Sequence, residues 1–137
     1  MKYGVLKNAY VEVAGVDLSN HCIELRPTYG VGAVQAHAFG DDQEYSNPGL
    51  TTRGLSARFI NDFAAASVFA TLNPLKDGAK HVVQYRNENT SASALNPTYS
   101  GLWFISSCDG LVAGTMGSNS EVSVTWTPAG QEAEATT

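Results

Sequence analysis

Charge is scarce in this sequence. Lys, Arg, Asp and Glu make up 15% of its 137 residues, against about a quarter in an average soluble domain. A folded chain with so few charges leaves surface that further protein can cover, which points toward assembly. No Lys/Arg cluster occurs anywhere, and the net charge is -5 with an isoelectric point near 5.0. A protein that reads nucleic-acid sequence advertises a basic patch, so that class is set aside. Only two cysteines occur, Cys22 and Cys108, far apart and outside any CxxC spacing; free thiols are favoured over a disulfide. No run approaches the roughly 18 apolar residues of a membrane helix. The opening MKYGVLKNAY lacks the apolar stretch of a signal peptide. The expectation is a soluble chain made in the cytoplasm.

The chemistry of active sites is equally sparse. His21, His37 and His81 stand apart, with no Cys, Asp or Glu at ligand spacing, so each reads as solvated or structural. His21 and Cys22 are neighbours, but adjacent strand residues point to opposite faces and cannot act as a pair. The glycines of VGAVQAHAFG follow no phosphate-binding spacing. Asp41, Asp42 and Glu44 lack the alternating oxygen ligands of a calcium loop. Asn89 opens an NTS triplet that matters only in a secretory host. No catalytic constellation emerges, and no enzyme, cofactor or metal is expected.

What the sequence does contain is strand material. Tyr10 and Glu12 alternate with Val11 and Val13 ahead of a turn at Gly15. In CIELRPTYG, Ile23 and Leu25 are expected on one face, with Glu24 and Arg26 on the other. VGAVQAHAF is a further candidate. Leu55, Ala57 and Phe59 form a period-two stripe, as do Val83 with Tyr85, and Val122 with Val124 and Trp126. TYSGLWFISS is apolar on both faces, as a central strand would be. Between Asn61 or Asp62 as N-cap and the stop at Asn73-Pro74, an alanine-rich stretch predicts a helix of about three turns. Its aromatic side, including Phe63, is expected to pack on the sheet.

These segments predict a mainly β, α+β layout: an antiparallel β-sandwich or open barrel with one short flanking helix. Residues 1–130 read as a single domain and 131–137 as a flexible tail. The expected core is Val11, Val13, Leu25, Leu55, Phe59, Phe63, Val83, Val122, Val124 and Trp126. One stretch is out of proportion. Gly40, Asp41, Asp42, Gln43, Glu44, Tyr45, Ser46, Asn47, Pro48 and Gly49 form a polar loop between two strands. That is about twice what a hairpin of two to five residues requires.

The order VAGVDLSNHCIEL, AHAFGDDQEYSNPGL, LSARFINDFAAASVFATLNPL, SALNPTYSG and EVSVTWTPAG resembles the tail tube proteins of long-tailed bacteriophages, most of all the small versions of actinobacterial phages. The likeness runs from about Val11 to Gly130. It implies a β-sandwich with a flanking helix, forming hexameric rings whose inner strands join into a barrel around a lumen. It also implies that rings stack through the long loop, so that residues 40–49 contact a neighbouring subunit. The implied partners are copies of the chain itself and the terminator, tape measure and distal tail proteins. DNA would pass through without specific binding, and no membrane is involved. The implied location is the virion tail, assembled in host cytoplasm. Alternatives are another virion β-protein, such as a capsid decoration protein or tail terminator, and a carbohydrate-binding sandwich with Tyr85, Tyr99 and Trp103 as its platform.

Overall fold

A computed structural model describes residues 8–112, 116–118 and 120–137. Eight strands and one α-helix are present among these residues. In chain order they are β1 (Tyr10–Val13), β2 (Val16–Asp17), β3 (Cys22–Gln35), β4 (Ser46–Ile60), α1 (Val68–Leu72), β5 (His81–Arg86), β6 (Thr98–Asp109), β7 (Glu121–Pro128) and β8 (Ala133–Ala135). Every pairing is antiparallel, and the sheet runs β2-β1-β5-β6-β7-β4-β3, with β8 also on β6.

The sheet is rolled. β3 and β5 stand four positions apart in strand order, which in a flat sheet would separate them by about 19 Å. Yet the hydroxyls of Tyr29 on β3 and Tyr85 on β5 lie 2.8 Å apart. Curling brings one face of all the longer strands together around a single core. Val11, Val13, Leu55, Phe59, Val83, Val122, Val124 and Trp126 are buried there, joined by Leu18, Ala57, Trp103 and Ile105. Phe59 and Trp126 meet edge to face, with ring centres 6.5 Å apart. The barrel stays open between its β2–β1 edge and β3. That seam holds a cavity of about 310 Å³, lined by Ala9, Ser19, Cys22, Glu24 and Leu25 among others.

One buried polar pair crosses the core. The Trp126 indole can only donate, and it donates to His81 Nε2 at 2.9 Å. Nδ1 of His81 therefore carries the proton and donates to the Ala79 carbonyl, also at 2.9 Å. His81 is satisfied on both sides and serves the core.

The structure corrects three expectations. Ile23 and Leu25 do not share a face, because the register with β4 shifts between Cys22 and Glu24. This bulge sends Leu25 against the core and leaves Ile23 42% exposed. The three-turn helix shrinks to five residues followed by a 3₁₀ turn at Asn73–Leu75. Ala66 adopts φ 55°, which an α-helix cannot contain. Asp62 consequently does not cap the helix from one turn away. Its carboxylate accepts from Ala64 N–H (3.0 Å) and the Ser67 hydroxyl (2.9 Å), and its carbonyl accepts from Phe69 N–H (3.0 Å). Phe63, expected in the core, is 63% exposed and touches Phe69 instead. The burial of α1 is carried by Val68, Thr71 and Leu72.

The C-terminal residues also differ from a loose tail. After β7 ends, Ala129 N–H donates to Leu102 O at 2.8 Å, and β8 resumes pairing along β6 at Thr98, Tyr99 and Ser100. The 12-residue β6 is longer than β7, and the chain returns to use its remaining edge.

Candidate functional site

The candidate site is a projecting hairpin. CIELRPTYG and VGAVQ form one continuous strand, β3, paired with β4 from Cys22↔Phe59 to Gln35↔Ser46. β7 accompanies β4 only from Ile60 back to Leu55. Beyond Leu55 the β3–β4 ribbon has no third strand among the described residues. From Thr28↔Gly54 outward it extends eight residues of β3, a reach of about 26 Å. The glycines permit close strand contact: a Cβ on Gly54 would sit 2.6 Å from Thr28 Oγ1, and one on Gly30 2.7 Å from Thr52 Oγ1.

The expected loop at residues 40–49 is divided by the structure. Ser46, Asn47, Pro48 and Gly49 belong to β4, and the connection proper is 36–45. Pro48 is tolerated in a strand because none of the described residues pairs with β4 on its other side there. Ala36 N–H still bonds Tyr45 O (3.1 Å), so the ribbon continues into the connection. At the tip, Asp41 closes a turn: its carboxylate accepts from Ala38 N–H at 2.6 Å, and its own N–H donates to Ala38 O at 3.2 Å. Gly40 supplies φ 92° there. The sequence suggested a polar loop, and within it the Asp41 carboxylate shapes the tip.

The ribbon carries apolar side chains into solvent. Tyr29, Val31, Val34, Phe39, Tyr45 and Leu50 are all exposed, Leu50 at 88%. A two-stranded ribbon with no sheet behind it is marginal in water, and exposed apolar groups of this number mark an interaction surface.

The arm is tied to the barrel at its base. Tyr29 and Tyr85 hydroxyls both bond Glu132, at 3.0 and 3.1 Å. Arg53 on β4 forms an ion pair with Glu132 at 3.4 Å, and both side chains are largely buried. The Arg53 guanidinium also lies 4.8 Å over the Trp103 ring and donates to the Gly130 carbonyl. Burial, with the Glu132 carboxylate adding to it, pushes the Tyr85 phenol far above its ordinary range; Tyr29 shifts the same way, also through burial first. Both therefore remain hydroxyl donors at any physiological pH. None of these contacts was legible beforehand, since their residues are spread across five segments of the chain.

The remaining sequence candidates do not converge. His21 pairs with Asp62 at 3.1 Å, while the Cys22 thiol donates to Glu24 O at 3.3 Å. Burial pushes Cys22 up to about 11, and both cysteines are free thiols. Trp103 and Tyr85 are buried, so the aromatic platform of a sugar-binding module is not formed. Among the described residues, no three His, Cys, Asp or Glu side chains group as metal ligands would.

No protein-family model matches the sequence, and no curated protein matches it either. Solved structures do match in shape. A chain in the tail of an empty gene transfer agent particle, refined helically with C6 symmetry, superposes at TM-score 0.68, covering 97% of this chain and 98% of its own at 13% identity. A chain in the sheath/tube terminator of an extracellular contractile injection system, PVC, in its extended state gives 0.68, covering 97% of each chain at 12% identity. The SPP1 tail tube gives 0.69, over 95% of this chain and 76% of its own, at 9% identity. The rolled antiparallel sheet with its single short helix is thus the fold shared with these chains of tail, tail-tube and tube-terminator structures.

Proposed function

We propose that this chain is a structural subunit of a phage-type tail tube, forming stacked hexameric rings that conduct DNA. The observation that carries the proposal is the unsupported β3–β4 ribbon with its exposed apolar side chains. Such a ribbon gains partners only from outside its own barrel, and a neighbouring ring is the partner that the shared fold suggests. The six-fold symmetry of the gene transfer agent tail supports the ring number. Edges of β2 and β3 left open by the barrel are closed when identical copies stand head to tail. The net charge of -5 suits a conduit, because phosphates would bind a basic lumen and stall. Its partners are then further copies of itself and the terminator, tape measure and distal tail proteins, within the virion. The role is structural and not enzymatic.

A second reading, a terminator ring that caps the tube, is favoured by the full-length match to the PVC terminator. Negative-stain microscopy separates the two: the tube reading expects long polymers, and the terminator reading single rings. The arm is tested by replacing residues 33–48 with an Asn-Gly turn. The shortened protein should keep its thermal transition and form no tubes. Tubes as long as those of the unmodified chain would overturn the assignment of the ribbon.

A further inference from the structure

We propose that Gly130–Glu132 is a clasp that fixes the angle of the β3–β4 arm to the barrel, and that this fixed angle is what makes the arm competent to join the next copy. The inference rests on the reading of the arm as an assembly contact, and adds how its direction is set.

The argument starts from the topology. β4 loses β7 at Leu55↔Trp126, so the ribbon beyond it is joined to the barrel by its own two strands. That junction alone permits swinging. Each arm strand then receives one tether to the same short segment. From β3, the Tyr29 hydroxyl bonds Glu132; from β4, Arg53 pairs with Glu132 and donates to Gly130 O. The segment is itself anchored to the barrel on both sides, by Ala129 N–H on Leu102 O and by β8 on β6. The hydroxyl of Tyr85, a barrel residue, stands within hydrogen-bond distance of both the Tyr29 hydroxyl and Glu132, and the two phenol protons are shared among these three contacts, which ties the tether to the wall. One carboxylate thus gathers both arm strands and β5.

The backbone has made room for this. A Cβ on Gly101 of β6 would stand 3.2 Å from both Arg53 Nη1 and Trp103 Nε1, and 3.6 Å from Gln131 O. A Cβ on Gly130 would stand 3.2 Å from Leu102 Cβ. Both positions lie where the guanidinium and the C-terminal segment cross the sheet. The fit has a cost, since Trp103 Nε1, beneath the Arg53 guanidinium, is a buried donor without a hydrogen-bond partner among the described residues. A contact kept at such a cost, between segments about 100 residues apart in sequence, is better explained by a geometric role than by stability alone. Pre-ordering the arm removes the entropy that docking would otherwise have to overcome.

The test is an arm-to-barrel distance. Cys22→Ser and Cys108→Ser remove the native thiols, and spin labels at Asn47→Cys and Lys80→Cys report the distance by pulsed electron resonance in dilute protein. The starting protein should give one narrow distribution. Glu132→Ala, and separately Tyr29→Phe, should broaden it while the thermal transition stays cooperative, and should raise several-fold the critical concentration for tube growth of otherwise unmodified protein. A narrow distribution in Glu132→Ala overturns the clasp. A broadened distribution with unchanged tube growth overturns its role in assembly. Should the protein lacking residues 33–48 grow tubes normally, the arm reading itself fails, whatever the distances show.

Discussion

Phe59 and Phe63 lie four residues apart, yet the structure gives them opposite fates, and this contrast offers a sharp test of the barrel. Phe59 is fully buried near the C-terminal end of β4, across from Val122 and edge to face with Trp126. Phe63 is 63% exposed in the segment ahead of α1, and its ring contact is with Phe69 at 5.1 Å. Phe59→Ala removes a ring from a core with no freedom to collapse, since strands flank it on both sides. Such truncations cost about 3–5 kcal/mol. Phe63→Ala loses at most the ring pair, about 0.5–1.5 kcal/mol. With a urea dependence of roughly 2 kcal/mol per molar for a domain of this size, the Phe59 variant should unfold about 2 M earlier and the Phe63 variant within about 0.7 M of the parent. The buried Trp103 and Trp126 report the transition by fluorescence, with protein kept below the assembly threshold. Equal shifts in the two variants, or the larger shift in Phe63→Ala, would refute the strand faces described above.

Trp126→Phe leaves His81 Nε2 buried with no donor, a penalty of about 1–3 kcal/mol in addition to lost volume. Adding His81→Phe should recover part of it, and losses that simply add would show the pair uncoupled in a double-mutant cycle. Asp62 provides a pH test. The Ala64 N–H above all, then the Ser67 hydroxyl and His21, hold its carboxyl below the ordinary value of 3.8. A depressed folded value contributes stability that is present above 3.8 and is lost as pH falls through the folded value. Asp62→Asn should therefore flatten the stability profile in that acid window; an unaltered acid limb in chemical denaturation would contradict the network.

The strands were legible wherever burial is one-sided and regular. Leu55-Ala57-Phe59, Val83-Tyr85 and Val122-Val124-Trp126 alternate because each faces a single core, and the sequence carries that period directly. Reading failed where tertiary contact overrides local pattern. The Ile23 bulge reverses the phase of β3 for a reason held in its pairing with β4. The alanine-rich stretch has helix propensity throughout, but the turn at Ala66 is fixed by bonds reaching back to Asp62. Residues 40–49 look like a loop because strands without a core behind them have no alternation to show. The absence of an apolar pattern in 131–137 likewise hid a strand, since β8 is held by backbone bonds to β6, which are blind to side-chain type.

The sequence by itself determined that this is an antiparallel β domain poor in charge, with a stretch between two strands too long for a simple turn, because periodicity, composition and spacing are local properties. Only the tertiary structure decided that the stretch is the end of a projecting arm, and that Glu132 meets Tyr29 and Arg53 at its base. Those contacts join residues far apart along the chain, and they exist only once the sheet has rolled.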